Sequence, residues 1–380
     1  MSKNNVFQIY DASAKVKQIG DSLQQHGQKI QLNGLIGSSL SFVVQSLFKK
    51  TELPFLIILD DKEEAAYYLN DLEQMIGEEE VLFYPGSYRR PYQIEETDNA
   101  NILLRAEVLN RINSRKKPAV IVTYPEALFE KVVTKKELDK NTLKVSVGDQ
   151  ISIEFINEVL FEYEFKRVDF ITEPGEFSVR GGIIDVFSFS NDNPYRIEFF
   201  GNEVDSIRSF DVETQLSIEK QKKIAIIPNV ENKFFQENRE GFLEYIHQNT
   251  IVFIKNTELL SSKLEKLFDK ADEIFKNLNA TIQHVEPQKI FLNHKEFLKK
   301  VLDFTVVELS SKPTFKIAKA FDFHIQPQPS FNKQFDLLLN NLSDNHFNGY
   351  KNIMKTFVLC IVRTKQIILV AVEMVLTQIV

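Results

Sequence analysis

The chain of 380 residues is 43% hydrophobic and 26% charged, the balance of an ordinary folded protein, which excludes collagen-like, low-complexity and wholly disordered classes. Its length predicts two or three domains, and its single cysteine, Cys360, excludes an internal disulfide and a zinc site built on paired cysteines. A net charge of −7, from 46 Lys+Arg against 53 Asp+Glu, argues against a surface that is one continuous nucleic-acid glove.

The opening MSKNNVFQIYD lacks the apolar core of a signal peptide, so a cytoplasmic chain is expected. From Gln28 to about Val133, short apolar runs such as KIQLN, PFLIILD, VLFY and AVIVTY alternate with longer stretches such as EEAAYYLNDLEQMI and ANILLRAEVLNRI. That rhythm predicts βαβ units around a mainly parallel sheet. Between about Thr142 and Asn229 the rhythm changes. A helical stretch, ISIEFINEVLFEYE, precedes closely spaced strand-like runs, RVDFI, EFSV, GIIDVFSF, YRIEFF and VDSIRSFD. Pro174-Gly175, Gly181-Gly182, Asn193-Pro194 and Gly201-Asn202 punctuate these runs, predicting antiparallel hairpins in an α+β domain. The α/β rhythm then returns with FFQENREGFLEYIHQ, the strand IVFIK and the long helix TELLSSKLEKLFDKADEIFKNL.

The expected organisation is therefore a parallel-sheet domain in two segments, 1–141 and 230–325, enclosing an inserted α+β domain at 142–229. A linker and incomplete further domain, 326–380, begins at the Pro327 and Pro329 stretch. The apolar tail TFVLCIVRTKQIILVAVEMVLTQIV is interrupted by Arg363, Lys365 and Glu373, too soon for a membrane-spanning helix, and reads as the stub of a cut or frame-shifted chain.

The six histidines, His26, His247, His284, His294, His324 and His346, have no partner at i+3 or i+4, and neither HExxH nor GxSxG occurs. No metal site or nucleophilic centre is predicted. Phosphate-binding grammar occurs once, in LNGLIGSSLSF after the first strand. A working P-loop is GxxxxGK[ST], in which glycines turn backbone N–H groups to the phosphates, the lysine reaches the β/γ oxygens and the hydroxyl holds Mg²⁺. Here Gly34 takes the first glycine, Ser39 the second, Leu40 the lysine and Ser41 the hydroxyl, with Gly37 and Ser38 between. The lysine is missing, and Tyr124-Pro125 stands where an acidic Mg²⁺-positioning run would follow AVIVTY. The loop is expected to be a tight strand-to-helix turn without nucleotide chemistry, in a chain that is not itself catalytic and holds no cofactor.

The inserted segment carries a different signal. Arg180, Arg196 and Arg208 lie in or beside strand-like runs, and Phe199-Phe200 breaks the alternation, so one of the two rings should point to solvent. Exposed aromatics beside arginines compose protein-binding hot spots. The alternative is that both rings are core and the arginines pair with local carboxylates. Residues 142–229 hold 9 Lys+Arg against 16 Asp+Glu, a net of −7 that equals the charge of the whole chain, which disfavours phosphate backbones and suits a protein partner.

The run GEFSVRGGIIDVF…YRIEFFGNEVDSIRSFD…TQLS resembles the signature shared by the excision-repair subunit UvrB and the bacterial transcription-repair coupling factors (Mfd). LNGLIGSSLSF sits where UvrB has an intact P-loop, YPGSYRRPYQIEETDNANILLRAEVLNRI falls in the matching later stretch, and QPQPSFNKQFDLL resembles the coupling factor's exit linker. Leu40 in place of lysine favours the coupling factors, whose N-terminal UvrB-homology module has lost its nucleotide site. The resemblance implies a degenerate helicase-like (P-loop-type) α/β domain with an inserted domain that recruits UvrA. It implies that Arg180, Arg196 and Phe200 make that contact, on a surface that the C-terminal domain of the resting full-length protein covers. RNA polymerase, DNA, ATP and Mg²⁺ would then belong to motor and polymerase-binding parts beyond residue 380. The runner-up is a UvrB-like ATP-dependent helicase relative gripping DNA, for which Tyr88, Arg89, Arg90 and Tyr92 offer a short basic-aromatic cluster.

Overall fold

The computed structural model describes residues 4–87, 99–114, 117–189, 191, 193–229, 239–277, 285–325 and 337. The Tyr88–Tyr92 cluster, the linker prolines and the apolar tail lie outside the described residues. The chain divides into two units, residues 1–24, 33–51 and 321–380 in one and residues 25–32 and 52–320 in the other.

Seventeen strands are described: β1 Lys29–Asn33, β2 Phe55–Ile58, β3 Val81–Phe83, β4 Val120–Thr123, β5 Val132–Val133, β6 Leu143–Ser146, β7 Lys166–Arg167, β8 Glu176–Arg180, β9 Ile183–Val186, β10 Tyr195–Phe200, β11 Glu203–Phe210, β12 Ser217–Gln221, β13 Lys223–Ile226, β14 Arg239–Glu240, β15 Ile251–Ile254, β16 Thr305–Glu308 and β17 Lys319–Asp322. In the smaller unit the helices Asn4–Ala12, Ala14–Leu23 and Ser39–Thr51 pack through Ile19, Val43, Val44 and Leu47, and Tyr10 stacks on Phe42 at 5.3 Å.

A seven-stranded parallel sheet runs in the order β17-β1-β16-β15-β2-β4-β3. Strands β2, β4, β15 and β16 are buried at every residue, as expected where helices cover both faces, and this is why their sequences are apolar runs without alternation. The helix Lys62–Ile76 buries Ala65, Tyr68 and Leu72, and the Asp61 carboxylate caps it by accepting from Glu64 N–H at 2.8 Å. The helix Thr257–Asn277 buries Leu260, Leu264 and Ala271. The sequence reading missed β16, whose four residues TVVE follow a helix by a short turn, and FFQENREGFLEYIHQ yields only β14 and the one-turn helix Phe242–Tyr245 among its described residues.

The second sheet runs β12-β11-β10-β9-β8-β7. Its pairs are antiparallel except β7 with β8, which is parallel, and of the RVDFI stretch only Arg167 enters it, beside Lys166. The expectation of antiparallel hairpins throughout is corrected at that edge. The helix Ile153–Glu162, capped by Ser152 Oγ on Phe155 N–H at 3.1 Å, buries Ile156 and Leu160 and sets Phe161 edge-on to Phe177 at 5.2 Å. With Phe177, Ile184, Val186, Ile197, Val204 and Ile207 buried, one sheet face is the domain core, each such side chain contributing about 1.5–3 kcal/mol.

A buried ion pair fixes the loop after β3. Arg105 and Glu130, 3.4 Å apart and both buried, hold the segment Tyr84–Ser87. Arg105 donates to Pro85 O at 2.9 Å and lies over the Tyr84 ring at 4.5 Å, while Glu130 accepts from Ser87 N–H at 2.9 Å and Ser87 Oγ at 2.6 Å. Removing one partner strands the other charge in the core. Arg105→Ala is therefore expected to lower unfolding stability by about 3–5 kcal/mol in urea titrations, against a loss below about 1 kcal/mol if the pair behaves as a surface bridge.

Candidate functional site

The phosphate-loop residues fold as a closed turn. Gly34 takes φ +74°, and a Cβ there would come within 2.8 Å of His324 N and 2.9 Å of Asp322 Oδ1. The turn is tied to that segment by Ile325 N–H on Gly34 O at 3.1 Å and Asn33 Nδ2 on Asp322 Oδ2 at 3.3 Å. Ser39 Oγ accepts from Ile36 N–H at 2.8 Å and donates to Ile36 O at 2.7 Å, closing the loop across Gly37 and Ser38. Ser39, Leu40 and Ser41 open the helix Ser39–Thr51 and are all buried. Leu40 thus lies in apolar packing where a P-loop lysine would reach for phosphate, and the chain's own Asp322 and His324 crowd the glycine that would admit one. These residues do not fit ATP with Mg²⁺. Among the described residues no three of His, Cys, Asp and Glu gather to hold a metal ion, and no helix is long and apolar enough to cross a membrane.

Arg180, Arg196 and Phe200 share the other face of the second sheet. Strand alternation sends Phe177, Ile184 and Ile197 to the core and Ser178, Arg180, Asp185, Arg196, Glu198 and Phe200 to the opposite side. The register sets Arg196 across from Asp185 on β9 and from Arg208 on β11, while Ile183 lies across from both Arg180 and Glu198. Asp185, only 2% exposed, is the centre of this ladder. Arg196 grips it side-on, Nε to Oδ1 at 2.7 Å and Nη2 to Oδ2 at 2.8 Å, and Arg180 Nη2 reaches the same Oδ2 at 2.5 Å. The Arg196 guanidinium also lies 4.5 Å over the buried Phe210 ring, which joins Ile171 and Phe187 in a small second core. Its hydrogen bonds to Asp185 hold Arg196 above the ordinary arginine pKa.

Two tight turns place the third residue. Gly181 at φ +58° and Gly201 at φ +62° begin two-residue connections between β8 and β9 and between β10 and β11, a backbone region that costs glycine nothing. Phe199 N–H donates to Gly182 O at 2.9 Å, so the two hairpin tips sit side by side. A register shift after Glu198 leaves Asp205 unpaired, and Phe200 ends β10 with its ring 85% exposed while Phe199 is half-buried. Each of the two readings left open by the sequence holds in part: one ring is exposed, and the arginines are paired with a local carboxylate. Sequence reasoning did not find Asp185, which looks like any acid in an acidic domain, nor Phe170, a 66% exposed ring lying 5.5 Å from the Arg180 guanidinium.

Residues 143–232, which carry this ladder, match a known family. The match is to the UvrB interaction domain. Beyond it, the chain is 31% identical over 282 residues to the transcription-repair-coupling factor of Bacillus subtilis, covering 74% of this chain and 23% of that protein. It is 28% identical over 228 residues to the transcription-repair-coupling factor of Myxococcus xanthus, covering 58% of this chain and 19% of that protein. It is also 28% identical over 273 residues to the UvrABC system protein B of Ureaplasma parvum, covering 67% of this chain and 40% of that protein. The chain thus spans between a fifth and two-fifths of the length of these relatives.

Within the matched residues, Arg208 completes the face by pairing with Glu198 at 2.6 Å, and Ser206 Oγ donates to the same carboxylate at 2.5 Å. The Ser206 hydroxyl, and after it the charges of Arg208 and Arg196, outweigh desolvation and hold Glu198 below its ordinary value of 4.5. A carboxyl depressed in the fold adds stability above its unfolded value, and that contribution is lost as pH falls through the lowered one. Glu198→Gln should therefore lose less stability than the parent when denaturation midpoints are compared between about pH 6 and about pH 3; parallel profiles would remove Glu198 from the pH response.

Proposed function

We propose that this chain is the UvrA-docking, N-terminal part of a transcription-repair coupling factor and acts as an adaptor rather than as a catalyst. The observation that carries the reading is the solvent-exposed Phe200 beside Arg180 and Arg196 on one face of a UvrB interaction domain. An exposed ring has no folding role to explain it at this position, and aromatic and arginine side chains are the commonest anchors of protein interfaces. Docking of UvrA on this face would bring the excision-repair machinery to a polymerase stalled at damage. Polymerase binding, DNA translocation and ATP hydrolysis with Mg²⁺ would fall to other parts of the assembled factor, because the Gly34–Ser41 loop is closed by its own chain. The domain organisation 1–141, 142–229, 230–325 and 326–380, with cytoplasmic action, is part of the same proposal.

Similarity to UvrABC system protein B supports a second reading, a UvrB-like nucleotide-dependent DNA-binding subunit. The two differ at Leu40. The adaptor predicts no heat of ATP binding in calorimetry, and the UvrB-like reading requires it.

The direct test is a titration with UvrA of the same organism. Phe200→Ala, and Arg180→Lys, which keeps a cation beside buried Asp185, should each weaken association at least about tenfold while the chain still unfolds cooperatively, the loss expected at an interface anchor. Wild-type affinity in both variants would remove the face as the docking site.

A further inference from the structure

The three residues that the resemblance implies do not account for the whole of this face. Asp185 is nearly inaccessible, yet both its oxygens are taken by guanidinium groups. A buried carboxylate is tolerated only when it is paired and hydrogen-bonded, and here two arginines share it, so one positive charge is left over. The two arginines are not equivalent. Arg196, with 15% of its side chain exposed, is held in its plane by the side-on grip and by the Phe210 ring. Arg180 is 43% exposed, and its other neighbour is the exposed ring of Phe170. Further along the ladder the pattern recurs with Arg208 on Glu198, so three arginines share two carboxylates on one face of a domain that is otherwise acidic.

We propose that this face receives an acidic side chain of UvrA on Arg180, flanked by apolar side chains on Phe170 and Phe200, and that Asp185 is the positioning residue that aims the cation. This rests on the docking reading above and names the chemistry of its partner site. Asp185 fixes the Arg196 fork, and Arg180 is presented in turn from the oxygen that both arginines share. The acidic remainder of the domain repels an acidic partner, and the arginine-rich ladder attracts it, which fixes where and in which orientation the partner docks.

The test is a titration of the chain with purified UvrA at several salt concentrations. If the wild-type chain does not bind, the docking reading fails before this inference is reached. If it binds, Phe170→Ala should weaken association about fivefold or more with unaltered thermal unfolding, since the ring is exposed, and wild-type affinity in that variant overturns the wider face. Asp185→Asn separates positioning from bulk charge. It makes the face more positive, so an acidic partner attracted by charge alone would bind more tightly, whereas loss of aim predicts weaker binding in a variant that still unfolds cooperatively. Tighter or unchanged binding overturns the positioning role, and if Asp185→Asn does not fold, Arg180→Lys takes its place: it keeps the charge, loses the planar fork and should also bind more weakly. Affinity of the wild-type chain should fall as salt rises, and an affinity indifferent to salt overturns the acidic partner.

Discussion

The carboxylate of Asp185 is the point around which the outer face of the second sheet is arranged. An aspartate in the middle of a four-residue strand, with apolar neighbours on the opposite side of the sheet, can be kept charged only if the adjoining strands bring cations to it. β8 and β10 both do, from positions sixteen residues apart in sequence that the β8–β9–β10 register brings to one carboxylate. Alternation then fixes everything else on that face. Once Arg196 stands opposite Asp185, Glu198 and Phe200 must lie on the same side, and Ile197 must go to the core. The exposed ring at the hairpin tip and the buried ion pair are consequences of one register.

In the parallel sheet the same physics pairs polar groups within the chain. At the carboxyl ends of its strands, where open α/β sheets bind ligands, polar groups are paired with one another. Lys255 after β15 bonds Asp60 at 3.2 Å and also Glu64, Lys263 reaches Asp60 O at 2.8 Å and Glu126 at 3.2 Å, and buried Glu308 accepts from Thr257 Oγ1 at 2.6 Å and from Thr314 and Phe315 N–H at 3.0 Å. The Gly34 turn, described within its own unit, is closed in the same manner by Asp322 and His324. In a working P-loop the backbone N–H groups face phosphate; here Ile36 N–H donates to Ser39 Oγ.

Much of this was legible in the sequence because it depends on period and on local chemistry. The apolar runs of β2, β4 and β15 mark buried parallel strands, and Phe199-Phe200 betrays an exposed ring because a strand cannot bury two successive side chains on one face. Gly181 and Gly201 give the hairpin tips, since a positive φ favours glycine there. What stayed hidden depends on contacts far apart in the chain. One acid among sixteen in the segment cannot be singled out as Asp185 without the register, and Phe170 stands near Arg180 only through the path of the loop before β8. The buried Arg105–Glu130 pair and the parallel pairing of β7 likewise have no local signal, because nothing near Arg105 or Lys166 in sequence names the partner.

The proposed docking uses one face of the second sheet. Hydrogen–deuterium exchange of the full chain with and without UvrA measures it most directly. The account predicts slowed exchange in the β8–β9 and β10–β11 hairpins, residues 178–185 and 195–206, with no change at the Gly34–Ser41 turn. Protection confined to the parallel-sheet region, with the two hairpins exchanging as in the free chain, would contradict it.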